Sequence, residues 1–209
     1  MSPSLSMLCL LLLLLVSPSL ALVKRSAIDN EREPERLWPT DRPIFYNFSV
    51  NFTCGYNREY INQILQTIQL KTCLRFQNAS KKASINTVEG HDDPVLLFVN
   101  STVEYYEATL SETMATVGKH PNAKMHSIFL PNSTCSKQQF RNRVYPIHIL
   151  HALGFYFTHN REDRDDYVLY YADRTDPLWG FAYEKLTAGE SKTYGVPYDY
   201  SSMTHFPPG

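Results

Sequence analysis

The sequence predicts an α+β domain, with strands and helices concentrated in its first part and a loop-rich stretch after them. Three observations carry this. Apolar residues alternate through Ile44 to Phe52, the period of a strand. Ile61, Ile64, Leu65, Ile68 and Leu70 then follow helical spacing up to Cys73. Beyond Gly154 the composition shifts to Pro, Gly, Asp and Tyr, which favour turns and irregular backbone.

The remaining elements follow from the same signals. Leu74 to Phe76, Val95 to Val99 (behind Pro94) and Ser127 to Leu130 (stopped by Pro131 and Asn132) read as short strands. Tyr145 to Leu153 reads as a helix that ends at Gly154, where a residue without Cβ lets the chain turn away. A further short helix is expected near Trp179 to Leu186. The chain has no internal repeat and no low-complexity tract.

Ahead of these elements, Met7 to Val16 is an apolar run of about ten residues, too short to span a bilayer. Ser19, Leu20 and Ala21 supply small residues for signal peptidase, so residues 1–21 read as a secretory signal and the protein as exported. Residues 22–36 are polar and charged and read as a short, disordered leader, with Lys24-Arg25 and Arg36 as processing sites. The domain proper is expected over 37–209.

Formal net charge is -1 with no basic block, which argues against nucleic acid or an anionic membrane as a partner. Sequons at Asn47, Asn51, Asn78, Asn100 and Asn132 fit a glycosylated exported protein. If Asn47 and Asn51 share a strand, both point to one face. Once Cys9 leaves with the signal, Cys54, Cys73 and Cys135 remain as disulfide candidates, an odd number for an oxidising compartment.

The most informative stretch is Ile147-His148-Ile149-Leu150-His151-Ala152-Leu153-Gly154-Phe155-Tyr156-Phe157-Thr158-His159. Laid over the metzincin zinc pattern H-E-x-x-H-x-x-G-x-x-H, it keeps His151 and Gly154. Ile147 takes the first ligand position, His148 the general-base position and Phe157 the third ligand position. The continuation Arg161-x-Asp163-Arg164-Asp165-x-Tyr167-Val168 resembles the astacin family of secreted zinc endopeptidases. So do Leu37-Trp38-Pro39, Lys71-Thr72-Cys73-Leu74-Arg75-Phe76 and Pro197-Tyr198-Asp199-Tyr200-Ser201-Ser202.

That resemblance implies a mixed N-terminal sheet with helices and a loop-rich C-terminal half flanking a cleft. It also implies zinc as the family's cofactor, and here a site that no longer holds it, because an aliphatic and an aromatic side chain cannot ligate. The function expected is a secreted peptidase homologue without activity, binding a peptide or protein in the old cleft. The alternative is a weak zinc endopeptidase with a rearranged His148/His151/His159 site. His148 alone is expected on the helix surface, and His151 buried and hydrogen-bonded.

Supporting positions differ from the family too. Thr158 stands where a glutamate receives the mature N-terminus, and Phe206 where a tyrosine assists the reaction. Thr204 stands at the Met-turn methionine unless a one-residue shift restores Met203. The acids of the Arg161–Tyr167 run are expected in structural salt bridges, and the many tyrosines in packing. By resemblance, the family partners of Cys73 and Cys135 are both missing, Cys54 rescues one pairing, and the domain stops short of the family's terminal cysteine.

Overall fold

A computed structural model describes residues 26–79, 93–101, 115–131, 138–175 and 177–206. The signal segment, Lys24-Arg25, Asn132 and Cys135 lie outside the described residues. Strands β1 (Ile44–Phe48), β2 (Phe76–Asn78), β3 (Val95–Ser101) and β4 (Met125–Pro131) form one sheet in the order β2-β1-β3-β4. Helix α1 (Gly55–Lys71) joins β1 to β2, and helix α2 (Gln138–Ala152) follows β4. Every described pairing within this sheet is parallel, with Ile44 opposite Phe76, Phe45 opposite Val95 and Val95 opposite Met125. Parallel neighbours need a crossover, which α1 supplies between β1 and β2. An antiparallel member of the expected mixed sheet is not among the described residues.

The core lies between the sheet and the two helices. Ile61 and Leu65 present one stripe of α1, while Tyr145 and Ile149 present one stripe of α2. Both stripes join Ile44, Phe52, Leu96, Phe98, Ile128 and Leu130, all almost wholly buried. In β4 the buried residues are His126, Ile128 and Leu130, the period-two pattern of one covered face.

Three boundaries differ from the sequence reading. Helix α2 begins well before Tyr145 and carries Pro146 inside it. Proline is welcome in a first helical turn but breaks a ladder bond further in, so the pattern places the start too late. Strand β1 ends at Phe48, and Asn51 lies in the following turn, so Asn47 and Asn51 do not share a strand face. The helix near Trp179 is a 3-10 segment, Pro177–Tyr183.

The largest correction concerns the leader. Ser26 to Arg36 is not disordered; it is docked against the segments around Gly154 and Lys192. Ala27 bridges to both Phe155 and Lys192 in antiparallel fashion. The Ala27 amide donates to the Lys192 carbonyl at 3.2 Å, and the Lys192 amide returns a bond at 2.8 Å. The Ile28 amide donates to the Gly154 carbonyl at 3.0 Å, and the Tyr156 amide to the Ser26 carbonyl at 2.9 Å. Ile28 is 1% exposed and lies against Gly118 and Gly154. Polar composition suggests a free tail, but one isoleucine and a run of backbone bonds suffice to seat it.

Gly118 shows how tight that seat is. Its φ is +73°, and a Cβ there would collide with Ile28 Cδ1 and stand 2.8 Å from the Arg36 carbonyl oxygen. Gly118→Ala is therefore expected to cost about 2–4 kcal/mol through backbone strain and overpacking. A melting temperature equal to that of the parent would contradict this contact.

Cys54 precedes α1 and Cys73 follows it, and both are disulfide-bonded. Among the described residues no helix is long and apolar enough to cross a membrane.

Candidate metal centre

The last turn of α2 and the loop after it bring the sequence's candidate residues together. His151 is 1% exposed, and its Nδ1 donates to the Phe155 carbonyl 2.6 Å away. A carbonyl can only accept, so the lone pair sits on Nε2, which is buried without a hydrogen-bond partner. Burial pulls the pKa of His151 down to about 4. This is the buried histidine the sequence implies, with Phe157 packed against its ring.

His148 departs from expectation. It is not a surface residue but 5% exposed, with Nδ1 also buried and unpartnered. Burial, with a smaller contribution from His151, lowers its pKa to about 3. Helix periodicity could not settle this, because α2 is covered on more than one side. Ile147 is half-buried in the first ligand position.

Phe157 fills the third. Its ring meets His151 edge-on with centroids 4.3 Å apart, and it lies 5.0 Å from His159 and 4.9 Å from Phe206. His159 sits in a 3-10 turn, Thr158–Asn160, rather than in an extended segment. Its Nε2 donates to the Ala182 carbonyl at 3.1 Å, while its Nδ1 accepts from the Phe206 amide at 3.2 Å. Burial lowers its pKa to about 3.

These contacts test the fit of a zinc ion directly. A ligating imidazole must offer a lone pair, and His159 has spent its own on an amide. The His148/His151/His159 trio is thus not assembled as a donor set. Among the described residues no three His, Cys, Asp or Glu side chains are grouped to hold a metal ion. The residues present do not fit zinc.

What occupies the region instead is a connected set of rings. Phe206 lies 4.2 Å from His159 and 5.5 Å from Tyr183, and Tyr183 stacks on Tyr170 at 5.2 Å. His205 stands 5.8 Å from His159 and accepts a 2.8 Å bond from the Tyr198 hydroxyl. Aromatic pairs of this kind add about 0.5–1.5 kcal/mol each beyond their buried area.

Below the rings, Thr158, Ser202 and Thr204 close a buried triangle of hydroxyls. The edges are 2.9 Å (Thr158–Ser202), 3.0 Å (Thr158–Thr204) and 3.1 Å (Ser202–Thr204). Each hydroxyl can donate once and accept once around the ring, so an uncharged network satisfies this interior. Sequence alone presents Thr158 and Thr204 as separate departures from the family and Ser202 only as the end of the Pro197–Ser202 motif; only the fold joins the three. Met203 is 41% exposed and Thr204 fully buried, so the turn places Thr204 inside without any register shift.

Two acids of the run, Asp163 and Asp165, make the expected ion pairs, whereas Glu162 and Asp166 are exposed and make none with the described residues. Arg161, 2% exposed, donates from Nε to Asp163 Oδ1 at 2.7 Å and from Nη2 to Oδ2 at 2.5 Å. Its third nitrogen, Nη1, donates to the Val196 carbonyl at 2.9 Å. Hydrogen bonding to Arg161 holds the Asp163 carboxyl below the usual range.

A family model for astacin peptidases matches residues 30–208. The chain belongs to the astacin family. Among curated proteins it is similar to zinc metalloproteinase nas-14 of Caenorhabditis elegans, 26% identical over 87% of this chain and 31% of that protein. It is also similar to zinc metalloproteinase dpy-31 of the same organism, 28% identical over 82% of this chain and 25% of the relative. The chain thus spans about a quarter to a third of the length of these relatives. Among solved structures, high choriolytic enzyme 1, a hatching-enzyme zinc protease from medaka, superposes with a TM-score of 0.64 at 20% identity. That match covers 86% of this chain and 76% of the other, and it shows the shared α+β fold. The family is zinc-dependent.

Proposed function

We propose that this astacin-family chain is an exported domain that does not hydrolyse peptides and instead binds a peptide or protein segment. One observation carries the reading: His159 has both ring nitrogens hydrogen-bonded, beside Phe157 and Ile147 in the other two ligand positions. Without a metal-bound water there is no activated nucleophile, and His148, neutral and buried, stands where a carboxylate would take its proton. Strand β4, an edge of the described sheet, supports pairing with an extended segment by β-augmentation.

Metal analysis of purified protein, together with a general protease assay, tests the first half. Zinc below about a tenth of an equivalent and no chelator-sensitive cleavage are expected. A stoichiometric ion, or turnover that a chelator abolishes, would restore the rearranged-site reading. Substitutions in β4 that abolish capture of a defined peptide ligand would support the second half.

Export carries its own expectation. Asn51 and Asn78 are exposed, whereas Asn100 is 6% exposed and donates through Nδ2 to the Asn51 carbonyl. Glycopeptide mapping of protein secreted from eukaryotic cells is expected to find glycans at Asn51 and Asn78 and none at Asn100. A glycan at Asn100 would require that buried amide to leave its bond.

A further inference from the structure

Helix α1, the edge strand β2 and Tyr46 of β1 line a cavity of about 240 Å³. That is below the roughly 300–1,000 Å³ of sites for drug-sized molecules and suits a ligand of a single ring. Glu59, Asn62, Gln66 and Gln69 recur every three or four residues, so one face of α1 supplies a polar wall. The sheet supplies the two aromatic rings, Tyr46 and Phe76, both half-buried.

The chemistry of this lining narrows the ligand. The Tyr46 hydroxyl donates to Asn62 Oδ1 at 3.0 Å, and the Phe76 amide donates to Gln69 Oε1 at 2.6 Å. Both side-chain amides are thereby held with their nitrogens left as donors, and neither nitrogen has a partner among the described residues. Gln66 is exposed and can both donate and accept. No cation lines the cavity, so an anion would lack a counter-charge there. Glu59, the one charged lining residue, is exposed, and water screens its charge. Amides beside aromatic rings fit a neutral polyhydroxyl ring. Its hydroxyls and an acetamide meet the amides, and its C–H face meets the negative faces of the rings.

A carrier for such a ring stands at the rim. Asn78 is exposed, opens the sequon Asn78-Ala79-Ser80 and pairs in register with Tyr46. It lies two residues from Phe76 on β2 and so shares that residue's face of the sheet. Burial raises the Tyr46 pKa, and a hydrogen bond from the Asn78 side chain works against it. Only a donor stabilises a phenolate, so Asn78 Nδ2, the atom to which an N-glycan attaches, faces the Tyr46 hydroxyl.

We propose that the cavity between α1 and β2 seats the first N-acetylglucosamine of a glycan on Asn78, with Tyr46 and Phe76 against its C–H face and Asn62, Gln66 and Gln69 on its polar groups. Tethering through Asn78 gives this sugar a high effective concentration at the cavity. Seated there, it also shields the open edge of β2 from pairing with another chain. The inference rests on the export proposed above, since N-glycans are added on that route.

The test uses the full chain secreted from cells limited to high-mannose glycans, with occupancy of Asn78 mapped by glycopeptide analysis. Trimmed by an endoglycosidase to one N-acetylglucosamine per site, it is expected to melt about 3 °C above an equally trimmed Ser80→Ala chain, which loses the sequon and keeps Asn78. Gln66→Ala is expected to lower the melting temperature of the glycosylated chain by about 2 °C and to leave the Ser80→Ala chain unchanged, the coupling of two groups in contact. An equal effect of Gln66→Ala in both backgrounds, no difference between the two trimmed chains, or a secreted chain with Asn78 empty would overturn the docking and leave export intact. A chain retained in the cells without any glycan would overturn both.

Discussion

Acidification from pH 7 to pH 5 is expected to remove about 6 kcal/mol of folding stability through His148, His151 and His159 alone. Their pKa values are lowered by burial to about 3, about 4 and about 3. In the unfolded chain each titrates near 6.5, so between that value and about 4 the unfolded state binds protons that the folded state refuses. Stability is therefore intact above about pH 6.5 and falls by about 1.4 kcal/mol per histidine for each pH unit below it. The loss at pH 5 is comparable with the whole stability of many domains. Chemical denaturation across pH 7 to 4.5 measures it. His159→Asn should remove about a third of the slope. A flat profile would mean that these imidazoles are solvated or charged in the folded protein.

Reinstating the missing donors is expected to produce the second large effect. In an Ile147→His/His148→Glu/Phe157→His variant, position 147 lies one helical turn before His151 and so shares its face. Position 157 already abuts His151, with ring centroids 4.3 Å apart. A histidine there would stand beside the free Nε2 lone pair of His151, whose orientation is fixed by the Phe155 carbonyl. Zinc content is expected to rise from below about a tenth of an equivalent to near one. A folded triple variant with no bound zinc would show that the loop backbone, not only the side chains, has moved away from metal geometry.

The fold is legible where periodicity and family motifs coincide. Val95 to Val99 and Ser127 to Leu130 read correctly because each is a short β-favouring run stopped or flanked by proline. The start of α2 is not legible, since Pro146 imitates a first-turn proline. Docking of Ser26 to Arg36 is hidden for a different reason: it depends on space left by Gly118 and Gly154, which lie far along the chain. At the site, the loss of ligands at Ile147 and Phe157 can be read residue by residue. The fate of His159 cannot, because its partners at Ala182 and Phe206 come from segments that only the tertiary structure brings near.

The antiparallel clasp of Ala27 onto Phe155 and Lys192 has a kinetic corollary. The earliest-synthesised part of the domain completes its pairing only after Lys192 has left the ribosome, so the two halves are sewn together by a late event. Such long loop closures slow folding. They leave the segment around Gly154 uncovered while it waits.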